Sequence, residues 1–113
     1  MSSLYEIEYK FEDERLEDGW RTGLVLVYET GTASGDNVQH ALDCANEDDD
    51  WTGVDKLLGA MFGVKEDEIA FYYDVNDMRE SNTSRLTRLA VELQKNFDII
   101  INDIGMVDTY ETE

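Results

Sequence analysis

Leu24-Val25-Leu26-Val27-Tyr28 is an unbroken apolar run of five residues set between Gly23 and Glu29. Successive side chains of a strand point to opposite faces, so a run with no polar alternation reads as a central strand, apolar on both sides. The neighbouring segments are ordered around it. Upstream, Tyr5, Ile7, Tyr9 and Phe11 alternate with Glu6, Glu8 and Lys10, the two-residue period of a half-buried strand. Between the two lies Glu12-Asp13-Glu14-Arg15-Leu16-Glu17-Asp18-Gly19, with five acids in seven residues before the glycine. That segment reads as an exposed connection, long enough for the two strands to pair antiparallel.

Downstream, Gly31-Thr32-Ala33-Ser34-Gly35 breaks the pattern, and the period changes. Val38, Ala41, Leu42 and Ala45 fall at i, i+3, i+4 and i+7, one stripe of a helix that Asp48-Asp49-Asp50 ends. Val54, Leu57, Leu58, Met61 and Phe62 repeat the spacing in a second helix, with Thr52 and Asp55 as a capping-box start and Gly63 past its end. Residues 69–75, with Phe71, Tyr72 and Tyr73, read as a third strand. Asn82-Thr83-Ser84 offers N-caps for a third helix with the stripe Leu86, Leu89, Ala90, Leu93 and Phe97. Ile99-Ile100-Ile101 opens a last strand running to about Val107. The order β-β-α-α-β-α-β predicts a single α+β domain over residues 1–107: a two-layer sandwich with one four-stranded, mainly antiparallel sheet and helices on one face. Residues 108–113 are expected to form a frayed acidic tail.

The chain of 113 residues carries 27 Asp and Glu against 9 Lys and Arg, a formal net charge of −18. Such a balance excludes direct nucleic-acid binding, whose phosphate contacts need bases, and repels an anionic membrane surface. It does not imply disorder: Leu, Ile, Val and Phe make up 28 of the 113 residues, enough for collapse into a core. The excess charge favours a monomer or weak homodimer. Cys44 is the only cysteine and proline is absent, so there is no internal disulfide and no proline-rich linker. The opening Met1-Ser2-Ser3-Leu4-Tyr5-Glu6 has no basic n-region or apolar h-region, and the apolar runs are far too short to span a bilayer. The expected compartment is cytoplasmic.

Conventional site motifs each lack a needed residue. His40 and Cys44 share a helix face, but structural zinc needs four nitrogen or sulfur ligands, and the chain contains only these two. Asp48-x-Asp50-x-Thr52-Gly53 matches half of a calcium loop, yet Lys56 stands at the ninth position and Gly59 at the twelfth, where a bidentate Glu belongs. The Gly31–Gly35 segment lacks the lysine of a phosphate loop and is flanked by Glu29 and Asp36. Arg85, Arg88 and Lys95 on the third helix read as charge balance, with Arg88 and Glu92 an i,i+4 pair. The expectation is therefore of no catalytic residues, no metal and no cofactor.

The acids themselves remain. Residues 1–50 hold 14 acids and 3 bases, and residues 51–113 hold 13 and 6, so the first part carries −11 and the second −7. Carboxylates alternating on a strand stand roughly 6.6 Å apart, and those one helical turn apart about 6 Å along the axis. Such arrays imitate a phosphate track for a groove built to hold one. In charge and length the chain resembles the small acidic DNA-mimic inhibitors of phages and mobile elements: anti-restriction, anti-CRISPR, and nuclease- or glycosylase-inhibitor proteins. The resemblance implies a non-enzymatic inhibitor occupying the basic cleft of a nuclease, restriction or CRISPR effector, in the cytoplasm of the host cell if phage-encoded. The expected partner-binding residues are Glu12, Asp13, Glu14, Glu17 and Asp18, then Asp43, Glu47, Asp48, Asp49 and Asp50, with Trp51 as an aromatic anchor or, alternatively, a core-packed helix start. Two other readings stand beside it: an immunity protein or antitoxin against a basic nuclease toxin, and an ordinary domain from a halophile.

Overall fold

A computed structural model describes residues 2–13, 19–75 and 82–110 of the chain. Its elements are β1 (Ser2–Phe11), β2 (Arg21–Glu29), α1 (Ala33–Asp48), α2 (Thr52–Phe62), β3 (Ile69–Val75), α3 (Asn82–Phe97) and β4 (Ile99–Tyr110), with a 3-10 turn at Glu66–Glu68 before β3. The β-β-α-α-β-α-β order and the α+β class are those the periodicities predict. The four strands form one sheet in the order β3-β2-β1-β4. β1 pairs antiparallel with both β2 and β4, while β2 and β3 are parallel, so the sheet is mixed and mainly antiparallel.

The expected placement of all helices on one face is not what the chain adopts. Because β1 runs opposite to β2 and β4, the strands β2, β3 and β4 all point the same way. The connections β2 to β3 and β3 to β4 are therefore both crossovers between parallel strands, and they cross the sheet in opposite directions. Parallel crossovers are right-handed almost without exception, so reversing the direction puts the helices on opposite faces. The buried residues sort accordingly. Leu4, Leu26 and Tyr28 pack with Val38, Leu42 and Ala45 of α1 and Val54 and Leu58 of α2. Tyr5, Ile7, Tyr9, Val25 and Val27 pack with Leu89 and Leu93 of α3 and with Ile99. The sandwich has three layers, and β2 is buried on both sides.

Two local details, the end of β4 and the start of α2, also differ from expectation. β4 continues to Tyr110, which pairs with Ser2, so residues 108–110 extend the sheet past the expected end at Val107. The register against β1 shifts twice, leaving Asn102 and Val107 of β4 as bulged positions without a partner. At α2 the N-cap is Trp51 with no side-chain bond, and the Thr52/Asp55 capping box does not form. Instead Asp50 Oδ1 accepts the Thr52 N–H at 3.1 Å, and Asp55 Oδ1 accepts the Glu66 N–H at 2.6 Å. Gly63 closes α2 as predicted, in the left-handed conformation at φ 71° with its N–H donating to the Gly59 carbonyl.

Candidate acidic interface

The α1 stripe turned toward the sheet leaves Asp43, Cys44, Glu47 and Asp48 on its outer face, all exposed. Gln39 Nε2 donates to Asp43 Oδ1 at 2.8 Å, and the Tyr28 hydroxyl donates to Gln39 Oε1 at 2.9 Å. A bonded chain thus ties the Asp43 carboxylate to the central strand. Asp49, at φ 53°, takes the left-handed conformation that ends α1. Bonds from the Thr52 hydroxyl and backbone N–H hold the Asp50 carboxyl below its ordinary pKa. Five expected carboxylates, from Asp43 to Asp50, are therefore exposed along the end of α1 and the start of α2, with Asp43 and Asp50 held by hydrogen bonds. Trp51 is half-buried and packs on the core between α1, α2 and the sheet, which is the core-packed alternative for that residue.

Helix electrostatics do not ask for the acids at the end of α1. The C-terminal end of a helix carries negative partial charge and favours bases. α1 has no basic residue in its last turn, and Glu47 and Asp48 stand there instead, followed by Asp49 at the cap. Helix capping explains Asp50 alone.

The first-loop cluster is placed only in part. Glu12 and Asp13 are exposed, and the Glu12 N–H donates to the Asp98 carbonyl at 3.0 Å, tying the start of the loop to the turn before β4. Glu14, Glu17 and Asp18 lie outside the described residues. Among the described residues no hydrogen bond joins this loop to the α1–α2 corner.

A third group of acids was not singled out as a site from sequence. Glu8 stands directly opposite Asp103, and Leu4 opposite Asp108, on the sheet face that carries α1 and α2. Glu6, Asp103 and Asp108 are exposed there, and Asn102 Nδ2 donates to Glu8 Oε1 at 2.6 Å. The alternation of β1 put Glu6 and Glu8 on one face. Their juxtaposition with Asp103 depends on the β1–β4 pairing, which has no local signal.

His40 Nε2 and Cys44 Sγ lie 3.7 Å apart on the exposed face of α1, and no group of three or more His, Cys, Asp or Glu able to hold a metal occurs among the described residues. In the Gly31–Gly35 turn, Gly31 N–H donates to Asp36 Oδ1, Thr32 N–H to the Glu29 carbonyl and Gly35 N–H to Thr32 Oγ1, and Asp36 N–H follows with a bond to the Thr32 carbonyl. On α3, Glu92 accepts the Tyr73 hydroxyl at 3.1 Å. No helix among the described residues is long and apolar enough to cross a membrane. No family model, curated protein or solved structure matches the chain.

Proposed function

We propose that the chain is a non-enzymatic inhibitor of anti-CRISPR or anti-restriction type. In this reading its carboxylates stand in for nucleic-acid phosphates and occupy the basic DNA- or RNA-binding cleft of a host-defence or DNA-processing protein. The observation that supports the reading best is the α1–α2 corner. Asp43, Glu47, Asp48, Asp49 and Asp50 are all exposed on a capped, core-anchored element, at a helix end where most of them oppose the backbone dipole. No Asp or Glu among the described residues is buried, so the carboxylates of this fold are open to solvent.

A cleft lined with Lys and Arg that exchanges nucleic acid for this surface gains the same steering, and the same release of bound ions and water, as on binding nucleic acid. Contact is then strongly salt-dependent, fast to form and blind to base sequence. No bond is made or broken, so His40 and Cys44 are dispensable.

The test begins by immobilising the protein, passing a host lysate over it and eluting with rising NaCl. The recovered protein is then examined for nucleic-acid binding and for competition by the free chain. The expected result is a basic nucleic-acid-binding protein, eluting by moderate salt, whose DNA or RNA binding the chain displaces. A Glu47→Gln/Asp48→Asn/Asp49→Asn variant is expected to weaken that competition at least tenfold, while His40→Ala/Cys44→Ala leaves it unchanged. Recovery of no nucleic-acid-binding protein at low salt would overturn the reading, as would loss of competition in the His40/Cys44 variant alone.

A further inference from the structure

β4 is an edge strand of 12 residues, with no strand beyond it among the described residues. Between its two bulges the ladder with β1 is regular over Asp103, Ile104, Gly105 and Met106. The two faces of this stretch differ. On the α3 side a groove of about 310 Å³ between helix and strand is lined by Leu86, Thr87 and Ala90 of α3 and by Ile101, Asn102, Asp103 and Ile104 of β4, and Met106 follows Ile104 on the same face of the strand. Met106 is 42% exposed, and Val91, next along α3, is 57% exposed. On the other side, Asp103 stands beside Glu8, with Glu6 and Asp108 further along, and Gly105 carries no side chain. At either end of the stretch an amide is capped from a side chain: Ile101 N–H by Gln94 Oε1 at 2.9 Å, and Thr109 N–H by Asp108 Oδ1 at 2.8 Å.

We infer that this edge receives an extended segment of a partner protein in which Lys or Arg alternates with apolar residues. A strand added beside β4 lies about 4.8 Å from it and turns its side chains alternately to the two faces. Its apolar residues enter the groove under α3, against Ile104 and Met106. Its basic residues fall beside Asp103 and reach across to Glu8 and Glu6 on the next strand. Charge complementarity selects this occupant over a second copy of the chain. Two β4 strands paired about a two-fold axis would place their Asp103 and Asp108 on the same face of a molecule already at −18. This edge shares no residue with the proposed cleft-binding set of the α1–α2 corner, and the inference does not depend on the mimicry reading.

The test uses three eight-residue peptides with blocked ends: alternating Lys and Val, the same composition with the four lysines contiguous, and alternating Glu and Val. Each is titrated into the full-length protein and followed by amide NMR shifts and hydrogen exchange. The alternating Lys–Val peptide is expected to saturate, with shifts and slowed exchange confined to residues 101–107 and 86–91. The contiguous-lysine peptide binds at least tenfold more weakly, and the Glu–Val peptide does not bind. Met106→Glu weakens the first peptide at least tenfold. Val91→Glu, at an exposed helix position that leaves the core untouched, weakens it as well and guards against a folding defect in the strand variant. Glu47→Gln/Asp48→Asn/Asp49→Asn leaves peptide binding intact, which separates this edge from the proposed cleft-binding corner. Equal binding of the two lysine peptides, shifts centred on the α1–α2 corner, or self-association through β4 without peptide would each overturn the inference.

Discussion

Tyr5 is fully buried in the core beneath α3, yet its hydroxyl has no hydrogen-bond partner among the described residues. A buried donor left unpaired costs about 1–3 kcal/mol, whereas removing the group and keeping the shape is neutral or better. Tyr5→Phe is therefore expected to raise stability by about 1 kcal/mol in urea unfolding; a loss of similar size would show that the hydroxyl is bonded after all. Gly35 makes the opposite case. A Cβ there would run into the Glu29 carbonyl and crowd Thr32 Oγ1, because the first turn of α1 is pressed against the end of β2. Gly35→Ala should cost more than about 2 kcal/mol through forced backbone movement. Gly53→Ala, with nothing within 4 Å of the new Cβ, should instead gain about 0.4–1 kcal/mol. If the two substitutions behave alike in thermal and urea unfolding, the close approach of α1 to β2 is wrong. Neither Tyr5 nor Gly35 could be told from its sequence neighbours. The strand alternation placed Tyr5 inside without saying what its hydroxyl would meet, and the Gly31–Gly35 segment read only as a turn.

At the scale of elements, the stripes of α1, α2 and α3 were legible because each helix buries a face whose 3.6-residue period is local. Val38, Leu42, Ala45, Val54, Leu58, Leu89 and Leu93 are all buried as that period requires. Which face each helix covers was not local, since it follows from the order β3-β2-β1-β4. Leu24-Val25-Leu26-Val27-Tyr28 already carried the answer in part: a strand apolar on both sides needs a cover on both, and a one-faced sheet would leave Val25 and Val27 in water. The capping of α2 failed for a related reason, because Asp55 finds a stronger use in bonding Glu66 across the chain. The acids of the α1–α2 corner were legible as a run, whereas the Glu8–Asp103 pair was not, since it joins strands 95 residues apart in sequence. Two cores separated by a sheet predict independence. Ile7→Val, in the core of α3, should cost about 1 kcal/mol, and Leu58→Ala, in the core of α1 and α2, about 2–5 kcal/mol. The double variant should equal their sum to within about 0.5 kcal/mol. Coupling above about 1 kcal/mol in urea unfolding would mean that the two clusters share one core.

A net charge of −18 is expected to act against the stability of the whole molecule, and pH and salt both test its electrostatics. Burial lifts the pKa of Tyr28, with Asp74 and Asp43 adding to it; burial and then Glu66 and Asp55 lift Tyr72; burial and then Glu92 lift Tyr73, all above the ordinary value of 10.0. Folded values above the unfolded one mean that the native state holds these protons longer. Their contribution is complete below pH 10 and is lost as pH climbs through the folded values. The urea midpoint should therefore fall above about pH 10, and Tyr28→Phe/Tyr72→Phe/Tyr73→Phe should flatten the fall. A midpoint as steep in the triple variant would assign the loss to other groups. Salt tests the carboxylates. Screening shortens from about 30 Å at 0.01 M to about 8 Å at 0.15 M ionic strength, so repulsion among the acids weakens and the melting temperature should rise over that range. A halophilic domain would instead be unfolded at 0.15 M and rescued only by molar KCl. Glu47→Gln/Asp48→Asn/Asp49→Asn removes three charges from the helix end that disfavours them, and asparagine suits the left-handed conformation at residue 49. This variant should melt higher than the parent at 0.01 M salt, with the gap closing by 0.5 M, while losing its hold on the basic partner. A variant that melts lower at low salt would make these acids structural, and a more stable variant that still competes with nucleic acid would move the interface away from the α1–α2 corner.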